Sequence, residues 1–297
     1  MPEGGLNRAD EMQVVAIVGV GLIGGSFALG LRGNGFQGSI LGVSSAPTLA
    51  RARERGVIDE GLSLEQAAAR ADLIYLSQPV SQILEVLPKV AGLARAKALV
   101  TDAGSTKAAI VARASEVFHG GAHFLGGHPL AGKAERGVEA AEAGLFAGTS
   151  YVLTPESSSL PEGGPVSGFR RWLKKLGARE LVMDPEAHDR IVAFTSHLPQ
   201  MASTALASLL GEMFPGDGSC RVAGAGLRDA TRLAASPFQV WRDICRTNAG
   251  HIDRALAGYI RKLEFVRENL TSEVLEEDFQ RGSAFVSQLQ KLFRDSS

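Results

Sequence analysis

Val14-Val15-Ala16-Ile17-Val18-Gly19-Val20-Gly21-Leu22-Ile23-Gly24-Gly25-Ser26 is the stretch whose reading decides the fold. A continuous apolar run of strand length, rich in β-branched residues, passes at once into glycines and then into a helical apolar pattern, which reads as strand, tight turn and helix. Gly19, Gly21 and Gly24 are spaced G-x-G-x-x-G. In a dinucleotide-binding turn each glycine acts differently. Gly19 permits the bend, Gly21 removes the Cβ that would block a pyrophosphate, and Gly24 lets the helix pack close to the strand. The pyrophosphate then rests on free backbone N–H groups of the first helical residues, Leu22 and Ile23, where the helix dipole favours negative charge. With 35 glycines in 297 residues the spacing alone is weak, and its place between a buried strand and a helix is what gives it weight.

Beyond the turn the helix runs to about Arg32 and is broken by Asn34-Gly35-Phe36-Gln37-Gly38, after which Ser39–Val43 reads as a second strand ending at Ser44. In dinucleotide folds an acidic residue about twenty positions past the glycines accepts hydrogen bonds from the ribose 2′-hydroxyl of NAD. Ser44 and Ser45 stand there instead, so the carboxylate that would repel a 2′-phosphate is missing, and NADP is favoured with NAD as the alternative. Arg51 and Arg53, on a helix expected over 47–55, either reach such a phosphate or are ordinary solvated charges.

The alternation continues with a helix over 63–70, a strand over 71–77, a helix from Gln78-Pro79-Val80 to about 90, a strand over 98–102 and another opening at His123. Such alternation predicts a parallel sheet covered on both faces, with ligands at the carboxyl ends of the strands. Strands at 150–153 and 180–183 flank a Ser, Gly and Pro-rich loop over 155–168 and a helix containing Trp172. From Pro185 strand signals stop. The expectation is an α/β Rossmann-type dinucleotide-binding domain over 12–184, then an all-α substrate and dimerisation domain over 185–297. Apolar helix faces such as Met201, Ala202, Ala205, Leu206 and Leu209 exceed what one small bundle needs, which points to a homodimer.

Composition narrows the partners. A net charge of −1 with no long run of one sign gives no footprint for nucleic acid or an anionic membrane, leaving a small-molecule substrate. Cys220 and Cys245, with no CxxC and no clustered histidines, argue against a disulfide framework and against a metal site. No apolar stretch has the length of a membrane span, and residues 1–11 are polar rather than signal-like, so the expected location is cytoplasmic.

His128, after Gly126-Gly127 and before Pro129, sits on a rim loop, where it either takes the proton of an alcohol being oxidised or serves as a turn residue. Ser105, at the tip of the preceding strand before a helix expected from about Thr106, is a helix N-cap, a partner for a substrate hydroxyl, or both. His197 falls at a break between helices. Among Arg228, Arg232, Arg242 and Arg246, one facing the cleft would implicate an acidic substrate, because the guanidinium forks onto a carboxylate. His119, His123, His188 and His251 read as surface or packing histidines.

Five motifs, in order, resemble the prephenate/arogenate dehydrogenases: Gly19-Val20-Gly21-Leu22-Ile23-Gly24-Gly25-Ser26, Asp102-Ala103-Gly104-Ser105-Thr106-Lys107, Gly127-His128-Pro129-Leu130-Ala131-Gly132, Ser196-His197-Leu198-Pro199 and Asp229-Ala230-Thr231-Arg232. The resemblance spans about residues 13 to 270. It implies an enzyme of tyrosine biosynthesis that oxidises the ring alcohol of prephenate or arogenate and expels the ring carboxylate as carbon dioxide, giving 4-hydroxyphenylpyruvate or tyrosine. It makes His128 the catalytic base, Ser105 the residue orienting the hydroxyl, and His197 and Arg232 substrate-binding positions, the arginine on the ring carboxylate. At Ser44 the chain departs from NAD-specific members, and the Gly-Val-Ser variant tends towards NADP and towards arogenate. Gln200 follows His-Leu-Pro where some members have another histidine, which leaves side-chain selectivity open. A separate regulatory domain is not expected in this length.

Two rival readings remain. A β-hydroxyacid dehydrogenase or imine reductase would carry a lysine on the second domain's helices, and none stands at the domain entry. A catalytically silent NAD(P)-sensing protein would keep the glycines and need neither His128 nor Arg232.

Overall fold

The computed structural model describes residues 12–133, 135–157, 159–160, 163–216 and 219–294; the polar stretch 1–11 lies outside them. The opening run forms β1 (Val14–Val18), which turns into α1 (Leu22–Gly33). There follow β2 (Ser39–Val43), α2 (Ala46–Glu54), β3 (Glu60–Gly61), α3 (Leu64–Arg70), β4 (Leu73–Leu76), α4 (Val80–Leu93), β5 (Leu99–Asp102) and α5 (Ala108–Ser115). β6 (His123–Pro129), β7 (Ser150–Thr154), α6 (Gly164–Lys175) and β8 (Arg179–Val182) complete a single sheet in the order β3-β2-β1-β4-β5-β6-β7-β8.

The period of two in the strands separates two apolar layers. Val15 and Ile17 of β1 face a layer with Phe27, Phe146 and Phe169, while Ala16 and Val18 face the other with Ile83, Leu87 and Ile110. In the first layer the rings of Phe27 and Tyr75 stack with centroids 4.2 Å apart, and the Tyr151 hydroxyl donates to that of Tyr75 at 3.1 Å. All pairings from β3 to β6 are parallel, so β1, β2, β4, β5 and β6 end on one rim.

Two features differ from the sequence expectation. β7 runs antiparallel to β6, with Gly127 opposite Leu153, because residues 130–149 leave and re-enter the sheet at the same rim and supply only a short 3-10 turn (Val138–Ala140) instead of a crossover helix. β3 is only two residues long, too short to leave a hydrophobic pattern.

The chain forms two compact units, and the division falls inside α7 (Pro185–Val192). The first holds the sheet through Asp189 together with Ser236–Thr247; the second holds Arg190–Ala235 and the chain from Asn248. Thus α10 (Phe238–Thr247), expected among the helices of a domain over 185–297, packs with the sheet. Asp243 of α10 is buried and accepts the Ser81 N–H at 3.0 Å and its hydroxyl at 2.6 Å, and Thr247 shares a 2.8 Å hydroxyl bond with Thr106. The second unit contains a π turn (Ala193–His197), α8 (Leu198–Met213), α9 (Ala225–Thr231), a 3-10 turn (Arg232–Ala235), α11 (Ala249–Glu268) and α12 (Val274–Arg294). Among the described residues no helix is long and apolar enough to cross a membrane.

Candidate active site

The β1–α1 turn has the geometry its glycines predict. Gly19 adopts φ +97°, a conformation L side chains rarely take, and the Ser77 hydroxyl donates to its carbonyl at 2.9 Å. A Cβ on Gly24 would collide with Ser77 Oγ and stand 2.5 Å from the Gly19 carbonyl, so only glycine lets α1 approach this closely. A Cβ on Gly21 would meet nothing within 4 Å, so its absence keeps space open above the turn. α1 begins at Leu22 without a side-chain cap, and the N–H groups of its first turn point where an anion is favoured.

That space is part of a cleft of about 520 Å³ whose floor is Gly19–Gly21. Its lining includes Ser44, Ser45, Thr48 and Arg51, together with Gln78 and Glu139. Gln78 Oε1 is buried without a hydrogen-bond partner among the described residues, an acceptor that a donor on a bound molecule would satisfy. An open anion-binding turn, a hydroxyl-lined wall and an orphaned acceptor fit an NAD(P) dinucleotide.

On the same rim, β6 delivers His128. The preceding peptide is held at both ends: Asp102 Oδ1 accepts the Gly127 N–H at 3.1 Å, and the Lys107 ammonium donates to the Gly127 carbonyl at 2.7 Å. Lys107 is itself ion-paired with Asp102, and both are fully buried. Burial pulls the Lys107 pKa down, opposed by the Asp102 carboxylate and by the charge of Asp189. Gly127 has no alternative here, because a Cβ would stand 2.6 Å from the Asp102 carbonyl.

His128 Nδ1 lies 2.9 Å from Nε2 of His188, whose Nδ1 lies 2.7 Å from Asp189 Oδ1. His188 and Asp189 are each 1% exposed. A carboxylate only accepts, so His188 Nδ1 donates to Asp189, and His188 Nε2 faces His128 Nδ1 across the second bond. His188, grouped by sequence with surface or packing histidines, is therefore a link in this chain, and the signal for it was the adjacent His-Asp pair just after the break at Pro185.

Ser105 does not cap α5. The helix starts two residues later than expected, and its first amides, those of Lys107 and Ala108, donate to the two oxygens of Asp189 at 2.7 and 3.0 Å. The Ser105 hydroxyl makes no hydrogen bond among the described residues.

The remaining candidates belong to the other unit. His197 closes the π turn, is buried, and lies 3.2 Å from the Asn248 amide nitrogen through Nδ1. Gln200 is committed to structure, donating to the Leu233 carbonyl at 2.9 Å and to Thr204 at 3.1 Å. Arg232 opens the 3-10 turn after α9 and is exposed, with no ion pair among the described residues. Arg228 and Arg246 are exposed as well, and Arg242 of α10 is paired with Asp243. Cys245 is a free thiol whose pKa burial pushes up.

A dinucleotide cleft and a histidine held by a buried His–Asp pair on one sheet rim define a nicotinamide-dependent oxidoreductase. Comparison with known proteins makes this particular. Residues 27–182 match the prephenate dehydrogenase nucleotide-binding domain and residues 184–285 the prephenate dehydrogenase dimerization domain. The chain belongs to the prephenate dehydrogenase family. It is 33% identical over 277 residues to prephenate dehydrogenase of Lactococcus lactis, covering 91% of this chain and 76% of that protein. The crystal structure of prephenate dehydrogenase from Aquifex aeolicus, in complex with hydroxyphenyl propionate and NAD+, superposes with a TM-score of 0.83 at 32% identity, covering 95% of this chain and 99% of that one. Synechocystis arogenate dehydrogenase gives 0.78 at 32% identity, covering 93% and 99%.

Proposed function

We infer that the chain oxidises and decarboxylates a cyclohexadienyl acid, prephenate or arogenate, to 4-hydroxyphenylpyruvate or tyrosine. The observation that carries this reading is the chain Asp189–His188–His128, in which a buried His–Asp pair holds the ring of the rim histidine. When bound, the nicotinamide supplies the hydride acceptor. His128 takes the proton of the ring hydroxyl, Ser105 orients that hydroxyl, Arg232 binds the ring carboxylate that departs as carbon dioxide, and His197 contributes to substrate binding. The relatives named prephenate and arogenate dehydrogenase support this substrate class, and the NAD+ complex of the Aquifex protein supports the cofactor class.

Ser44, Ser45 and Arg51 favour acceptance of NADP, with its 2′-phosphate on that wall and its pyrophosphate over Gly21, Leu22 and Ile23. The Gly42-Val43-Ser44 ending inclines the substrate choice to arogenate. The protein works as a homodimer in the cytoplasm, paired through the helical domain expected over 185–297. Steady-state assay of both acids with both cofactors tests the reading: arogenate with NADP is the expected best pair, and Ser44→Asp should swing the cofactor ratio towards NAD. Turnover of neither acid would overturn the function, while a best pair of prephenate with NAD, unmoved by Ser44→Asp, would overturn the preferences alone.

A further inference from the structure

Glu139 lines the same cleft as Ser44 and comes from a separate segment of the chain. Its segment, the 3-10 turn Val138–Ala140, lies against the start of α1 because Gly25 and Ser26 are small there. A Cβ on Gly25 would stand 2.8 Å from the Ala141 methyl, and Ser26 Oγ accepts the Glu142 N–H at 3.0 Å. Val138 is buried, and Arg55 donates to the Ala141 carbonyl at 3.4 Å. The chain enters this turn through Gly137 at φ +80°, where a Cβ would stand 2.5 Å from Glu139 Oε2. Residues 25, 26 and 137 thus converge on one result, a carboxylate held over the cofactor cleft. Glu139 Oε1 there meets Arg51 Nε at 2.5 Å, beside the Ser45 and Thr48 hydroxyls, which are 2.9 Å apart.

We propose that Glu139 selects the cofactor: its carboxylate keeps Arg51 when the adenosine ribose carries a 2′-hydroxyl, and must yield Arg51 to the phosphate when it carries one. This rests on the reading that the cleft takes NAD(P) with that ribose at Ser44. Ser44 removes the carboxylate expected at the end of β2, but the 138–140 turn brings one back to the cleft beside Arg51. A phosphomonoester carries about −1.5 to −2 charges. It gains Arg51 and is opposed by Glu139, so the discrimination is an electrostatic difference that salt weakens. The Arg51–Glu139 pair is half exposed on both sides, and such pairs are weak enough to exchange partners.

The test is calorimetric titration of the wild-type, Glu139→Gln, Glu139→Asp and Arg51→Gln proteins, and of the double variant Glu139→Gln with Arg51→Gln, with 2′,5′-ADP and with 5′-AMP, fragments that differ only in the 2′-phosphate, and then with NADP+ and NAD+. Glu139→Gln should tighten 2′,5′-ADP and NADP+ roughly tenfold at low salt and leave 5′-AMP and NAD+ within about twofold. Glu139→Asp, which keeps the charge, should retain most of the wild-type discrimination, and Arg51→Gln should weaken 2′,5′-ADP and abolish the gain in the double variant. An equal change for both fragments, or none, overturns the proposal. If the wild type binds 5′-AMP alone while Glu139→Gln binds both, the selector role stands and the preference for NADP falls. If no variant binds either fragment, both fall.

Discussion

The proposed base, His128, is held by a carboxylate two hydrogen bonds away: Asp189 Oδ1 meets Nδ1 of His188, and Nε2 of His188 meets Nδ1 of His128. His128→Asn is expected to lower turnover by roughly 10²–10⁴-fold with little change in substrate affinity. Near-normal turnover in the Asn variant would reassign the base. Asp189→Asn keeps the shape but offers an amide where an acceptor is needed, so turnover should drop by at least roughly tenfold while crystals or spectra show the fold retained. Arg232→Gln should raise KM strongly, a loss on the order of 2–5 kcal/mol in kcat/KM for a charge pair left unmade; an unchanged KM would move the role to Arg228, Arg242 or Arg246. At this scale the places of His128 and Ser105 at strand ends were legible in the sequence. The approach of His188 and Asp189 to the rim was not, because it depends on where α7 starts relative to the N-terminus of α5, sixty residues and more away.

Helix ends are where the elements of the first unit lock together. The start of α5 is capped by Asp189 from α7, and the start of α4 by Asp243 from α10. Burial raises the Asp243 pKa, but the Ser81 hydroxyl and amide and the Arg242 guanidinium outweigh it and hold the carboxyl below its ordinary range. A carboxyl with a lowered pKa in the folded state stabilises above its unfolded pKa, about 4, and that contribution is lost as pH falls through the folded value. Asp243→Ala should therefore cost about 1–3 kcal/mol near neutrality in urea unfolding, with the difference from wild type shrinking in acid. A difference that persisted unchanged at low pH would count against this cap. Lys107→Met would strand the buried Asp102 carboxylate and should cost about 3–5 kcal/mol. Strands β1, β2, β4 and β5 were legible because parallel buried strands read as apolar runs. The direction of β7 was not, since its own residues carry the same pattern whichever way it runs, and only the missing crossover helix decides.

At the scale of the molecule, the second unit leaves Phe194, Leu209, Met213, Ile260 and Leu263 half exposed or more, far above what scattered surface residues explain. Sedimentation at micromolar concentration should show a dimer, and a stable monomer would refute the pairing. The helical character of this half was legible from its period, whereas the return of Ser236–Thr247 to the sheet was not, because an amphipathic helix does not record which core it meets. That return has a consequence for synthesis. On a ribosome the nucleotide-binding half emerges first yet stays unfinished until residue 247 has left the exit tunnel, since Ser81 must wait for Asp243 and Thr106 for Thr247. The half that recruits the cofactor thus has no independent maturation step, and a chain released after residue 235 is expected to leave the start of α4 open to rapid amide exchange.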